Sequence, residues 1–173
     1  MSIFSRLFGK SPPDPKNALG PLYSKVIAKG RELHWYEQGQ VPDTMDGRFD
    51  MIASILAILL LRMEKLPDAA QDSAYLTELF VDDMDAQMRE AGIGDVVVAK
   101  DMGKIMSILG GRLGAFRGAF DDPARLDAAI ERNIQAAENA GSVSRVHLAA
   151  MLTAYWQQLQ FLDHPQLVEA KFA

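Results

Sequence analysis

The chain has 173 residues, 49% of them hydrophobic and 24% charged, a composition typical of one water-soluble domain rather than of a disordered or membrane-embedded chain. Its net charge of −5 argues against nucleic acid as the main partner, because phosphate backbones are bound by clustered lysine and arginine. Cysteine is absent, which excludes disulfides, Cys-based zinc sites and thiol catalysis and favours a cytoplasmic location.

The amino-terminal segment carries basic residues and several prolines. Residues 1–17 are therefore predicted to form a flexible tail, and residues 18–173 a helical domain. If the start of the tail forms a helix, its apolar side chains lie on one side, next to two basic ones. This pattern predicts contact with anionic lipid. A frayed end is the more common outcome for such a segment. The side chains assigned to this contact are Phe4, Leu7, Phe8, Arg6 and Lys10.

The body of the chain opens with two predicted helices. The first begins near Pro21 and continues to Gly39. The second contains residues 51–61, an apolar run interrupted only by Ser54 and too short for a bilayer span of about 20 residues. Because this run is apolar on every face, it predicts a central buried helix, with an exposed binding surface as the alternative.

The later segments continue the helical pattern. Apolar residues recur every three or four positions in residues 76–88 and again in residues 96–120. Asp122 precedes a proline and predicts the start of another helix, and Ser142 or Ser144 predicts the start of the last. One short run of valines is typical of a β-strand, but the sequence has no second candidate strand to pair with it. The prediction is therefore all-α, a single compact domain of about six or seven helices around a central apolar helix.

No catalytic or metal-binding pattern stands out. Aligning an EF-hand on Gly47 places Pro42 and Ala53 at ligand positions, so calcium has no site there. The three histidines are more typical of partly buried or surface side chains than of metal or haem ligands. The aspartates in residues 82–85 are more typical of a solvated helix face than of paired catalytic acids. We therefore expect a protein that is not an enzyme and has neither metal nor cofactor.

Residues 103–118 hold five glycines inside a helical pattern. Each lowers helix stability by about 1 kcal/mol relative to alanine, so the run predicts a compensating contact. Small residues spaced by four leave one side of a helix smooth, and a second helix can approach it closely. An internal helix crossing is the more common explanation. The alternative is a groove for a helix from a partner, with Arg112 and Arg117 at its rim.

Three blocks of the sequence resemble a known family. They are VPDTMDGRFDMIASILAILLLRM, FVDDMDAQMREAGIGDVVVAKDM and GRLGAF, and the resemblance extends over residues 19–163. Their order and spacing are similar to those of the ubiquinol–cytochrome c chaperones, which are assembly factors of the cytochrome bc1 complex (respiratory complex III). The resemblance implies an all-α, non-enzymatic chaperone that assists newly made cytochrome b, a hydrophobic integral membrane protein.

The resemblance also implies partners and a location. The expected partners are cytochrome b or other complex III assembly components, with peripheral contact at the cytoplasmic face of the inner membrane. The short chain resembles a bacterial-type member more than the mitochondrial ones, which leaves open the small partner subunit and the ribosome contact of the mitochondrial branch. The alternative function is a helical protein that binds quinone, haem or an acyl chain, and a second alternative is an enzyme that uses the aspartate cluster.

Family-pattern residues occur in the first two blocks, but the family assigns them no chemical role that carries over. They are Pro42, Asp43, Thr44, Phe49, Arg62, Asp82, Asp83, Met84, Asp85, Gly92 and Lys100. Partner contacts are therefore inferred from the charges and from the glycine pattern. The residues assigned to partner binding are Gly110, Gly114, Gly118, Arg112, Arg117, Asp82, Asp83, Asp85 and Asp43.

Overall fold

A computed structural model describes residues 14–90, 95–138 and 140–171, and these residues form helices and their connections. Six α-helices have eleven residues or more and two are single short turns, which confirms the predicted all-α fold. None of the helices in this described part of the chain is long and apolar enough to cross a membrane. The helices are the 3-10 helix η1 (Pro15–Leu19), α1 (Gly20–Gly30), α2 (Leu33–Glu37), α3 (Met45–Met63), α4 (Ala70–Glu90), α5 (Asp95–Phe116), α6 (Pro123–Asn133), α7 (Ser142–Gln160) and α8 (His164–Val168).

Helix α3 is the centre of the fold. Every residue from 51 to 61 is buried, and α1, α4, α5 and α7 all contact this helix. Its first turn is capped by Thr44, whose Oγ1 accepts a hydrogen bond from the amide of Gly47 at 3.2 Å. Asp46 places a negative charge at the positive end of the helix. The prediction that this apolar run forms a central buried helix is confirmed.

The predicted first helix is interrupted at Gly30, where α1 packs closely against α3. A Cβ atom on Gly30 would lie 2.8 Å from Cγ1 of Ile52, so only glycine lets α1 approach α3 so closely. The chain then turns and places Trp35 in the core, where its Nε1 donates a hydrogen bond to the carbonyl of Lys29 at 2.6 Å. The hydroxyl of Tyr36 donates to the carbonyl of Gly30 at 2.7 Å. These two aromatic residues satisfy the last carbonyls of α1, which therefore ends at Gly30 rather than near Gly39.

The start of the described structure is attached to α4. The carboxylate of Asp14 accepts a hydrogen bond from the amide of Lys16, and Nζ of Lys16 lies 2.6 Å from Oδ2 of Asp82. Leu19 is buried, so η1 spans the predicted boundary at residue 17 and packs on the body. The residues assigned to lipid contact lie outside the described residues, and that assignment stays a prediction: Phe4, Leu7, Phe8, Arg6 and Lys10.

We expect Gly47→Ala to destabilise the protein by about 1–3 kcal/mol, the usual cost of overpacking. A Cβ at this position would lie 2.0 Å from the carbonyl oxygen of Pro42, a backbone atom that cannot move aside cheaply. Gly111→Ala is the matched control, because no described atom lies within 4 Å of its added Cβ and alanine favours a helix by about 1 kcal/mol. Urea denaturation should move the two midpoints in opposite directions; a Gly47→Ala midpoint at or above the parent's would contradict the close contact.

Candidate functional site

The glycines of α5 face solvent rather than another helix. The core side of this helix carries Ile105, Leu109 and Phe116, all buried. The exposed positions between residues 103 and 116 are occupied, apart from one lysine, by glycine, serine and methionine. No described atom lies within 4 Å of a Cβ built on the glycines at these positions, so the expected internal helix crossing is wrong. We call this surface the glycine face; it consists of Gly103, Ser107, Gly110, Gly111 and Gly114.

Gly118 and Arg112 do not lie on the glycine face. Helix α5 ends at Phe116, and Gly118 follows it with a φ of 70°, a left-handed conformation that glycine adopts without strain. Arg112 is 4% exposed, because it follows Leu109 by three positions and lies on the core side of α5. The prediction that Gly118 extends the smooth helix face and that Arg112 forms its rim is therefore corrected.

Arg112 forms a buried ion pair with Asp50 of α3. Its Nη2 contacts Oδ1 of Asp50 and donates to the carbonyl of Asn133 at 2.7 Å, while its guanidinium lies 5.6 Å from the ring centre of Phe49. Asp50 also accepts a hydrogen bond from the amide of Gln135 at 3.0 Å. Burial raises the pKa of the Asp50 carboxyl and lowers the pKa of Arg112. The cost of removing the two charges from water is therefore larger than the effect of their mutual attraction. The pair joins α3, α5 and the end of α6.

Arg117 and the predicted acidic contacts already have partners within the chain. The guanidinium of Arg117 binds the carboxylate of Glu64 through two contacts of 2.6 and 3.0 Å, exposed to solvent. Asp43 is exposed and lies 2.6 Å from Nε of Arg48, whose hydrogen bond lowers the pKa of Asp43. Any partner that uses these charges must compete with or extend an existing ion pair.

The three aspartates of α4 have different surroundings. Asp82 pairs with Lys16 of η1, and Asp85 pairs with a neighbouring arginine one turn later at 2.9 Å. Asp83 accepts a hydrogen bond from the hydroxyl of Tyr23 at 2.8 Å. Burial, with this hydrogen bond as the second cause, raises the pKa of Tyr23. Asp82 and Asp83 therefore hold η1 and α1 on α4.

Two further residues of the family pattern have structural roles. Thr44 caps α3, and Arg62 near the other end of α3 donates to the carbonyls of Leu159 and Leu162 at 3.0 and 2.7 Å. Those carbonyls belong to the end of α7 and the residues after it, where a helix leaves acceptors unpaired. Both positions therefore stabilise helix ends, and Thr44 is also exposed at the start of α3.

A pocket of about 340 Å³ lies where the first two sequence blocks and α5 meet. Its floor is apolar and its rim carries the Asp43–Arg48 ion pair. The sequence indicated Asp43 but not the pocket, since its walls come from three separate helices. The one sequence feature that could have indicated the pocket is Met45, an apolar residue at the start of a helix. Its side chain is 64% exposed. Among the residues that line the pocket are Asp43, Thr44, Met45, Arg48, Phe49, Met84 and Ile105.

A larger apolar groove, of about 700 Å³, runs between α6 and α7. Sequence reasoning missed it, because α7 is apolar on several faces and its buried side could not be told from its open side. Val143 and Val146 are 81% and 68% exposed on the open side of this helix. The groove is lined by Phe120, Leu126, Arg145, Val146, Ala150 and Ala154, among others.

Comparison with known proteins decides the family. A family model described as ubiquinol-cytochrome C chaperone matches residues 37–172, which include the glycine face, the groove and most of the pocket. The chain belongs to this family. The chain is similar to the crystal structure of the Cbp3 homolog from Brucella abortus, with a TM-score of 0.79 and 28% identity, over 99% of this chain and 96% of that one. No curated protein sequence gives a significant match. The family resemblance seen in the three sequence blocks is confirmed.

Proposed function

We propose that this protein is a non-enzymatic chaperone for the assembly of the cytochrome bc1 complex, and that its client is newly made cytochrome b or another assembly component. The observation that carries the proposal is the family match over residues 37–172. The similarity to the Brucella abortus Cbp3 homolog over nearly the whole of both chains supports it. In this proposal the protein meets its client as a peripheral protein at the cytoplasmic face of the inner membrane.

The glycine face is the proposed contact for an apolar helix of the client. Each glycine inside a helix costs about 1 kcal/mol of helix stability relative to alanine. Nothing among the described residues packs against Gly110, Gly111 and Gly114, so no contact within that part of the chain offsets the loss. A helix bound across the face could approach the backbone of α5 closely and gain dispersion contacts along its length. The near absence of charge on the face favours an apolar client helix over a polar one.

The pocket at the start of α3 is proposed to hold an apolar side chain of the same client. Methionine is flexible and polarisable, so Met45 and Met84 can adapt to side chains of different shape. The exposed ion pair at the rim influences the rate and selectivity of encounter more than the final affinity. Both features suit a protein that holds a client for a time and then releases it.

Gly114→Leu is expected to leave the fold intact and to reduce capture of the client. Position 114 is open and exposed, and leucine favours a helix over glycine, so helicity and the melting temperature should not fall. The added side chain would keep a bound helix away from the backbone of α5. The measurement is the amount of cytochrome b that copurifies from membranes of a deletion strain carrying the variant, together with the complex III content of those membranes.

Ala28→Leu is the matched control, since it adds the same side chain at an exposed position of α1, a helix that packs on α3 and α4. It should capture the client as the parent does. A Gly114→Leu protein that folds and restores complex III as well as the control would remove the glycine face from the proposal. A deletion strain with normal complex III would contradict the function itself.

A small-molecule carrier is the second candidate, because the α6–α7 groove has a suitable size. Ligand pockets of proteins typically measure about 300–1,000 Å³, and this groove of about 700 Å³ has mainly apolar walls. The two candidate functions differ in what copurifies with the protein. Organic extraction of freshly purified protein would release stoichiometric quinone, haem or acyl lipid from a carrier, and none from a chaperone that binds only proteins.

A further inference from the structure

Two histidines from distant parts of the chain meet between α2 and α7. Nδ1 of His34 lies 3.1 Å from Nε2 of His147, and the other ring nitrogen of His34, Nε2, lies 2.8 Å from Oε2 of Glu32. Glu32 is in turn held by Nζ of Lys29 at 3.0 Å. A carboxylate can only accept, so Glu32 places the ring proton of His34 on Nε2. This leaves the lone pair of Nδ1 directed at His147.

We infer that His34 and His147 bind one divalent transition-metal ion of the zinc class through Nδ1 and Nε2, with Glu32 as the positioning carboxylate. Zinc lies about 2.0–2.1 Å from imidazole nitrogen in tetrahedral sites, which puts two such nitrogens roughly 3.3 Å apart. The observed 3.1 Å differs by only a few tenths of an ångström, so a ring rotation brings the two nitrogens to this spacing. Binding replaces the hydrogen bond between the rings, and the proton that His147 carries on Nε2 moves to its Nδ1, which leaves the Nε2 lone pair for the ion. Metal-bound histidines usually donate their second N–H to a carboxylate, which is the arrangement of His34 and Glu32.

The site is open rather than closed. In residues 14–90, 95–138 and 140–171, no group of three or more ligating side chains could hold an ion, so water or a donor from another molecule completes the coordination. The His34 side chain is 26% exposed, which leaves a path for the ion. Imidazole ligands suit Zn²⁺, Cu²⁺ and Ni²⁺ and disfavour Ca²⁺ and Mg²⁺. Binding would join α2 to α7 and does not depend on the proposed chaperone function.

Titration of the full chain with ZnCl₂ in a calorimeter tests the site. The parent should bind one ion per chain saturably, and His34→Ala and His147→Ala should lose that binding. His164→Ala is the matched control, because Nε2 of His164 is bonded to Asp72 instead of facing a second histidine. The chain has no cysteine, so thiolates cannot contribute background binding. Removing the positioning carboxylate with Glu32→Ala should weaken binding by about 10- to 100-fold.

The fluorescence of Trp35 gives an independent readout. Its ring centre lies 4.1 Å from that of His34, so a paramagnetic Cu²⁺ ion bound there should quench its emission. The chain has two tryptophans, and Trp156→Phe leaves Trp35 as the only one. In that background, CuCl₂ should quench the emission at one equivalent, and a further His147→Ala substitution should abolish the saturable quenching.

Three results would overturn the inference. They are an absence of saturable ZnCl₂ binding by the parent, an equal loss of binding in His164→Ala, and Trp35 emission that is insensitive to one equivalent of CuCl₂. His147→Gln guards against unfolding of the alanine variants, because its amide can still hydrogen-bond to His34. If His147→Gln melts like the parent and still binds zinc as tightly, His147 is not a ligand and the inference fails.

Discussion

Leu59→Ala is expected to destabilise the protein by about 2–5 kcal/mol, through lost transfer free energy and the cavity left behind. Leu59 lies in the last third of α3 and has no exposed surface, and its helix contacts α1, α4, α5 and α7. The close packing of those neighbours limits how far they can collapse into the space. Urea denaturation followed by circular dichroism measures the change in the free energy of unfolding.

Leu33→Ala is the control for the same chemical change at the surface. Leu33 is 71% exposed, and substitutions at such positions usually stay within about 0.5 kcal/mol of the parent. A Leu59→Ala protein with an unchanged midpoint and no client binding would show instead that α3 is a binding surface. That result would restore the alternative interpretation of the apolar run.

The central helix could be predicted because its signal is local. An apolar run without a polar face has few places in a water-soluble domain other than the interior, and residues 51–61 are all buried. The start of α6 could be predicted for the same reason. The carboxylate of Asp122 accepts hydrogen bonds from the amides of Ala124 and Arg125 at 3.0 and 3.3 Å, within the same turn. Such features depend on residues within one or two turns of each other.

The break between α1 and α2 could not be predicted in the same way. The apolar period continues across it, yet α1 ends at Gly30, where Ile52 of α3 packs closely and where Trp35 and Tyr36 donate hydrogen bonds to the last carbonyls of α1. The burial of Trp35 then changes the direction of the chain. The apolar periodicity of one segment does not show where a distant helix such as α3 will pack against it. Tertiary contacts therefore outweighed the local helical pattern.

The candidate site shows the same limit. The spacing of the glycines correctly placed Gly110 and Gly114 on one side of α5, but glycine has no side chain whose hydrophobicity could distinguish core from solvent. The better guide was the opposite side, where Ile105, Leu109 and Phe116 recur at helical spacing. Arg112 fits that same spacing and belongs with the core side chains, a position that its charge concealed.

Arg112→Met is expected to destabilise the protein by about 3–5 kcal/mol, because it leaves the carboxylate of Asp50 without its partner in a mostly buried place. The Arg112 and Asp50 side chains are 5% and 19% exposed, so water screens the pair little. The loss also removes the hydrogen bond from Arg112 to the carbonyl of Asn133. Arg117→Met is the control, since the ion pair of Arg117 with Glu64 is exposed and such pairs contribute little.

The double variant Arg112→Met, Asp50→Asn separates the cost of an unpaired charge from the loss of packing. Asparagine keeps an acceptor for the amide of Gln135 and carries no charge, so the double variant should recover much of the stability lost in Arg112→Met. If the double variant is no more stable than Arg112→Met, lost packing and the lost hydrogen bond to Asn133, and not an unpaired carboxylate, destabilise the single variant.

The pH dependence of Arg112→Met provides the last test. Burial already raises the pKa of Asp50 in the parent, and removing the cation that opposes this shift raises it further. A carboxyl whose folded pKa exceeds its unfolded value of about 3.9 favours the folded state below that value and loses this contribution as the pH rises through the folded pKa. The deficit of Arg112→Met relative to the parent should therefore be largest at neutral pH and shrink as the pH falls towards about 4. A deficit that is constant between neutral pH and about 4 would show that lost packing, and not an unpaired carboxylate, destabilises the variant.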